Sequence, residues 1–314
     1  MNHEGTKTRR VDCFTARIGM LVSLGFVFFA VGCGSGTSSG DQAMIDQANS
    51  LHRGIAPAVV SDEGRLRGYM QQIATRLLEA AKVVAQDRSK SREGQNEDWM
   101  FSRDMQFYIA ASPIPNAFGS GGHQVYVLLG AMQKCSSEDE LAAAMAHAYA
   151  HTLLGHVRHN IGAGAADAPA GAIVIRFVEH RFNLKQEEEA DDLAFAIHAR
   201  AGWDPVAFVS MLDHLAAERG RVAAIQSQLE RLPPAAQEWS RPSIADARRF
   251  EEHRSGAAAV AAQKRPTQAV ERLLAAIPNC FLPEDLPAQR EAQRELMMPA
   301  STETPNTFEK GQRR

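Results

Sequence analysis

Two histidines four residues apart, His147 and His151, constrain the fold of this 314-residue chain more than any other feature. The alanine-rich sequence around them follows two serines and three acidic residues at 136–140, which predicts a helix running to about Arg158. Residues four apart lie on one face of a helix, so both imidazoles can meet a single metal ion. Because the chain contains eleven histidines, such a pair can also arise by chance and serve only packing.

A second predicted helix, over about residues 184–201, carries Glu187 and Asp191. Two histidines and one glutamate are an established ligand set for hydrolytic zinc, which keeps a fourth position open. Asp191 lies four residues after Glu187 on the same helical face, where it can accept a hydrogen bond from a ligand histidine. The alternative is a solvated acidic face, which we expect for Glu188 and Glu189.

Further segments occur in the order found in one known family. They are Asn116-Ala117-Phe118, Gly121-Gly122-His123-Gln124-Val125-Tyr126-Val127, Glu138-Asp139-Glu140-Leu141-Ala142, the histidine pair with the later His156, Glu187-x-x-Ala190-Asp191, and Ala201-Gly202-Trp203-Asp204-Pro205. Together they resemble zinc metallopeptidase family forty-eight, the family of the CAAX prenyl proteases, HtpX and BepA. Each segment alone is a weak signal, whereas the ordered set is specific.

The resemblance implies an α+β fold that is mostly helical, of the gluzincin type, with a small antiparallel sheet beside the active-site helix. It implies one zinc ion held by His147, His151 and Glu187, with Asp191 orienting a ligand histidine. The resemblance covers roughly residues 45–250, which we take as the metallopeptidase-like domain.

The resemblance also implies that one strand forms the sheet edge along which an extended peptide aligns. Its residues are Gln124, Val125, Tyr126 and Val127. We expect His123, His156 and His159 to be structural or to lie on the surface.

The chain departs from the family pattern at two positions that have catalytic roles in the family. Ala148 stands where the family has a glutamate that takes a proton from the zinc-bound water and passes it to the leaving amine. Loss of such a base costs roughly 10²–10⁴-fold in rate. Arg241 stands near the place of a family histidine that stabilises the transition state or latches the metal. Arginine can donate hydrogen bonds to an oxyanion but cannot bind zinc while it is charged.

Three interpretations follow. The first is a catalytically impaired zinc metalloendopeptidase homologue of the bacterial cell envelope, which binds extended or misfolded polypeptide as a chaperone or as an adaptor for an assembly partner. The second is an active zinc metalloendopeptidase of envelope quality control that uses another base. The third is a metal-free structural lipoprotein.

The start of the chain predicts export. Residues 18–31 are apolar and uncharged, too short for a spanning helix, and follow a basic stretch. The sequence AVGC at 30–33 resembles a lipobox, so residues 1–32 are a predicted lipoprotein signal peptide and Cys33 the lipidated residue. A flexible tether is expected over 33–44. This arrangement predicts a lipid anchor in the envelope, on the periplasmic face of an outer membrane where the organism has one; an uncleaved signal anchor is the alternative.

Charge and cysteine content narrow the classes further. The formal charge is −3 and the sequence pI is about 6.4, which argues against a nucleic-acid-binding protein. Cys135 and Cys280 remain after the signal and the lipidated cysteine, and in an oxidising envelope they could form one disulfide or stay unpaired. A helical extension is predicted over 251–297, and a polar, disordered tail over 298–314.

Overall fold

The computed structural model describes residues 39–61, 64–89, 98–161, 170–217, 219–233, 243–282 and 287–298. Contacts divide the chain into a unit Met1–Ser35 and a unit Gly36–Arg314, and the described residues belong to the second. The predicted signal peptide, Cys33, Arg241 and the tail beyond residue 298 lie outside the described residues. Within the described ranges, no helix combines the length and apolar character needed to cross a membrane.

The described chain is mostly helical, with one small sheet. The first helices are α1 (Ser39–Ile55), α2 (Gly64–Ser89), α3 (Leu129–Lys134), α4 (Glu138–Leu153), α5 (His156–Ile161) and α6 (Ala170–Glu179). They are followed by α7 (Leu184–Arg200), α8 (Pro205–His214), α9 (Arg219–Glu230), α10 (Ile244–Gln263), α11 (Gln268–Ala276) and α12 (Pro287–Met297). The strands are β1 (Gln106–Ala110), β2 (Ala117–Gly119) and β3 (Gln124–Leu128). The predicted α+β class with mostly helical content is confirmed.

The sheet is mixed, which corrects the antiparallel sheet expected from the family resemblance. Its strand order is β1-β3-β2, with β3 parallel to β1 and antiparallel to β2. The chain reverses once between β1 and β2 and again between β2 and β3, so β3 regains the direction of β1 and inserts between the other two strands.

The expectation that Gln124, Val125, Tyr126 and Val127 form a sheet edge is wrong. They belong to β3, the central strand, which pairs with a neighbour on both sides and is buried along its whole length. Its backbone groups already bond to β1 and β2, so an extended peptide cannot pair with it.

Helix α4 lies in the centre of the fold and is almost entirely buried. Gly119 of β2 permits close approach of the sheet, because a Cβ built on it would lie 2.6 Å from the carbonyl oxygen of Ala148. The helix ends at Leu153, earlier than the predicted Arg158. Gly155 adopts a φ of +65°, which breaks the helix before α5 begins.

Two predicted segments overlap the described helices. The expected tether over 33–44 is too long, because α1 begins at Ser39 and the Asp41 side chain is buried against Arg158. The extension predicted over 251–297 contains helices, and its Leu274 and Phe281 belong to the same hydrophobic core as the sheet and α4.

Candidate metal centre

Two capped helices carry the candidate ligands. Ser137 caps α4 by accepting a hydrogen bond from the backbone N–H of Glu140. A capping box opens α7, in which Asn183 and Gln186 exchange side-chain to backbone hydrogen bonds of 3.0 and 3.1 Å. This box fixes the first turn of α7, in which Glu187 lies.

The structure brings three predicted ligands together. The Nε2 atoms of His147 and His151 are 3.2 Å apart, and Oε2 of Glu187 lies 3.3 Å from the first and 3.5 Å from the second. Ligand atoms bound tetrahedrally to one zinc at about 2.0–2.1 Å are separated by about 3.3 Å. The three atoms therefore have the spacing that a shared zinc ion requires.

The hydrogen bonding of these atoms also fits a cation. Oε2 of Glu187 is buried and accepts no hydrogen bond from any described residue. Two imidazole Nε2 atoms that face each other offer at most one shared proton, so the cluster has more lone pairs than protons. A metal ion would satisfy all three atoms together, and we conclude that the residues fit zinc.

Asp191 orients the first histidine. Its Oδ1 lies 2.8 Å from Nδ1 of His147, which places the ring proton on Nδ1 and leaves Nε2 free to bind a metal. Burial opposes a charge on His147, but the contact with Asp191 and its charge prevail and raise the pKa of the histidine well above its ordinary value. Burial likewise disfavours the Asp191 carboxylate, yet His147 and Arg221 lower its pKa.

Arg221 is a site residue that the sequence did not reveal. Only 3% of it is exposed, and its Nε and Nη2 donate to the two oxygens of Asp191 at 2.7 and 3.0 Å. Its Nη2 also lies 3.2 Å from Oε2 of Glu187. The sequence around Arg221 carries no motif. Its position at the site results from long-range packing of α9, which sequence patterns do not show.

The second histidine has a different environment. Its Nδ1 lies 3.0 Å from Nδ1 of His156, and Phe182 stacks on its ring at a centroid distance of 3.9 Å. Burial lowers the pKa of His151. His156 is itself buried, and its Nε2 lies 3.3 Å from Oε2 of the half-exposed Glu189. Burial and the neighbouring His151 lower the pKa of His156 to about 4.

The position at which the family resemblance places a general base is apolar. Ala148 is fully buried and offers only a methyl group. The described carboxylates that contact the two metal-facing histidines are Glu187 and Asp191, and both are engaged with the histidines and with Arg221. In the described part of the site no free carboxylate therefore replaces the missing glutamate.

The possible disulfide between Cys135 and Cys280 is not formed, and both are buried free thiols. Cys135 ends α3, where its carbonyl accepts a hydrogen bond from Arg254. Cys280 instead joins the metal cluster: its Sγ and ligand atoms of His147 and His151 all lie within 4.8 Å of one another. The fold thus places the two cysteines in different surroundings, and sequence spacing could not show this.

The cleft beside the cluster is narrow. A pocket of about 90 Å³ remains there, lined by Glu187, Arg221 and residues of the 278–282 segment. Pockets for drug-sized ligands measure about 300–1,000 Å³. The pocket among the described residues is therefore too small for an extended peptide.

Two comparisons with known proteins agree with this geometry. A family model described as Peptidase family M48 matches residues 94–255, just over half of the chain. The mitochondrial metalloendopeptidase OMA1 of Schizosaccharomyces pombe (strain 972 / ATCC 24843) is 27% identical over 132 residues. That match covers 37% of this chain and 39% of the relative, so the chain spans about two-fifths of the length of the curated relative it matches.

Proposed function

Because this chain belongs to peptidase family M48, we propose that it is a zinc-binding peptidase homologue with impaired hydrolysis that binds extended or misfolded polypeptide. His147, His151 and Glu187 would hold the zinc ion, which polarises a bound carbonyl or water when it is present. Asp191 keeps the His147 ring in the orientation and tautomer that binding needs, and Arg221 neutralises the buried carboxylates.

The observation that carries this proposal is the buried methyl group of Ala148 beside an intact ligand set. Peptide hydrolysis needs a group that takes a proton from water and returns it to the leaving amine. An alanine does neither, while the ligands and their supporting residues keep their geometry. Binding is thereby retained and proton transfer is lost.

Restoring the base tests the proposal. Both test variants are made in a Cys280→Ser background, so that the thiol beside the histidines cannot mask a gain in activity. In this background we expect Ala148→Glu to cleave labelled casein at least about 10²-fold faster than Cys280→Ser alone, with the activity abolished by EDTA. Ala148→Gln in the same background, which is similar in size but has no base, is the matched control.

Two outcomes would contradict the proposal. EDTA-sensitive cleavage by the native chain that is lost in His147→Ala would establish an active metalloendopeptidase with another base. Equal inactivity of the glutamate and glutamine variants would show that the impairment does not reside at position 148.

Polypeptide binding is proposed from family membership and has its own test. The family relative is a metalloendopeptidase by its name, and polypeptide is the substrate of such an enzyme. We expect the native chain to bind fluorescent, reduced and alkylated protein in fluorescence anisotropy and not the folded form of that protein. Equal binding of both forms, or of neither, would refute this part.

Attachment to the envelope is proposed from the sequence at AVGC 30–33. We expect a fatty-acid label to be incorporated by the native chain and lost in Cys33→Ala, while Cys135→Ala keeps it. A released native chain without label would refute the anchor.

A further inference from the structure

The 278–282 segment, which follows α11, lies across the metal cluster. Asn116 holds its backbone at two points, because the carboxamide donates to the carbonyl of Pro278 at 3.0 Å and accepts from the N–H of Cys280 at 3.1 Å. Arg221 donates to the carbonyl of Cys280 at 2.6 Å. Phe281 packs on His147 with ring centroids 5.0 Å apart.

These contacts place the thiol with the histidines. Sγ of Cys280 and the ligand atoms of His147 and His151 lie within 4.8 Å of one another, and all three residues are buried. Oε2 of Glu187 is buried, forms an ion pair of 3.2 Å with Arg221, and faces the same two histidine nitrogens at 3.3 and 3.5 Å. Cys280 and Glu187, two groups of types that bind zinc, therefore each lie beside the same pair of histidines.

The net charge of the buried cluster also favours a thiolate at Cys280. Glu187, Asp191 and Arg221 are all more than nine-tenths buried, and they carry one net negative charge when both histidines are neutral, as metal binding requires. A zinc ion changes this to one net positive charge, and a thiolate at Cys280 makes the buried cluster neutral. Uncompensated charge in a protein interior is costly, so the neutral assembly is favoured.

We infer that Cys280 is the fourth zinc ligand and that it closes the metal site against water and substrate. The inference rests on the zinc binding in the proposed function and deepens it. On binding, a bond forms between zinc and Sγ, and the thiol proton leaves to solvent. Cys280 lies beyond residues 94–255 that match the family, so the family match does not include this ligand.

Four protein ligands change the role of the metal. Catalytic zinc keeps an open position for water, whereas four-coordinate zinc with protein ligands only is structural. A zinc ion without an open position for water needs no general base. The closed site thus explains why Ala148 stands beside an intact set of ligands. It also ties the segment after α11 to α4 and α7, so polypeptide reaches the cleft only when this segment is displaced.

Cobalt substitution tests the ligand. With one equivalent of Co²⁺, we expect the native chain to show a thiolate-to-cobalt charge-transfer band in the near ultraviolet. Cys280→Ser should lose the band and bind zinc at least about tenfold more weakly in chelator competition, a change of about 1.4 kcal/mol. Cys135→Ser, which alters the other buried thiol, should keep both properties.

X-ray absorption on the native zinc protein provides a measurement that does not depend on how a variant folds. We expect one sulfur at about 2.3 Å in the zinc shell, together with nitrogen and oxygen at about 2.0–2.2 Å. A bound zinc with nitrogen and oxygen only, or a cobalt band that survives Cys280→Ser, would overturn the inference and leave the proposed zinc site standing. A native chain that binds no metal would overturn both.

Discussion

At the scale of single residues, small side chains set the distance between the sheet and the metal-bearing helix. A Cβ on Gly119 would lie 2.4 Å from Oγ1 of Thr152 and 2.6 Å from the carbonyl oxygen of Ala148. Both distances are too short for a carbon atom, and the second involves helix backbone that cannot turn away. Gly119 therefore lets β2 lie directly against α4.

We expect Gly119→Ala to destabilise the protein by about 1–3 kcal/mol, because β2 must move away from α4. Gly68→Ala is the matched control, since Gly68 lies exposed within α2 with no atom within 4 Å of its added Cβ. The control should gain about 0.5–1 kcal/mol from the better helix propensity of alanine. Urea unfolding measures both, and a Gly119→Ala variant at least as stable as the native chain would contradict the close approach.

The sequence revealed those site residues whose geometry is local. His147 and His151 share a helical face because of their spacing, and Glu187 and Asp191 do so for the same reason. Arg221 and the Cys280 segment reach the cluster through long-range packing, and no periodicity records such contacts. The family resemblance supplied the pairing of the two helices, which spacing alone leaves open.

At the scale of elements, the start of α7 connects local structure with the metal centre. Asn183 accepts a hydrogen bond from the Gln186 backbone, and Glu187 follows in the same turn. Removing the cap frees this turn to fray.

We expect Asn183→Ala to lower the free energy of unfolding by about 1 kcal/mol and to weaken zinc binding, because Glu187 loses its fixed position. Thr267→Ala is the control: Thr267 caps α11 without a side-chain hydrogen bond, so the change should stay within about 0.5 kcal/mol. Thermal unfolding and a zinc titration measure the two effects. An unchanged zinc affinity in a destabilised Asn183→Ala variant would show that the helix cap does not contribute to zinc binding.

The strands show why element positions are harder to predict than element types. The apolar stretch at 124–128 predicts a strand, and β3 forms there. Its place in the centre of the sheet depends on the short β2, which only three residues form. A strand this short has too few residues for an alternating pattern, so the order of the strands could not be read from the sequence.

At the scale of the whole molecule, residues distant in the chain share one core. Leu51 near the start, Tyr149 in α4 and Phe281 near the end all belong to one hydrophobic cluster. The predicted α+β class was implied by the family resemblance, whereas periodicity predicts single helices, which are local. The core continues past the predicted boundary at residue 250, since composition does not show which helices pack on one another.

Buried titratable groups make the stability of the whole molecule depend on pH. His198 is fully buried between α7 and α4, and its Nε2 donates to the carbonyl of Asp139 at 2.8 Å. Burial lowers the pKa of His198 from 6.5 to about 4. The unfolded chain then binds the proton more readily between these values, so the contribution of His198 is complete above pH 6.5 and is lost as pH falls towards 4. The Asp139 carboxyl contributes to the pH dependence of stability with the opposite sign, because burial raises its pKa to about 6.

Replacing His198 by a side chain that cannot titrate isolates its contribution to the pH dependence of stability. Between pH 7.5 and 5.0 we expect His198 to account for a loss of about 2 kcal/mol in unfolding free energy. His198→Gln keeps a side-chain donor and should lose that much less than the native chain over this range, while the effect of Asp139 is common to both. Urea unfolding in EDTA measures the difference without the protons released by metal binding. His159→Gln, the same substitution at an exposed position in α5, is the control. An equal decline in the native chain and in His198→Gln would place the source of acid sensitivity elsewhere.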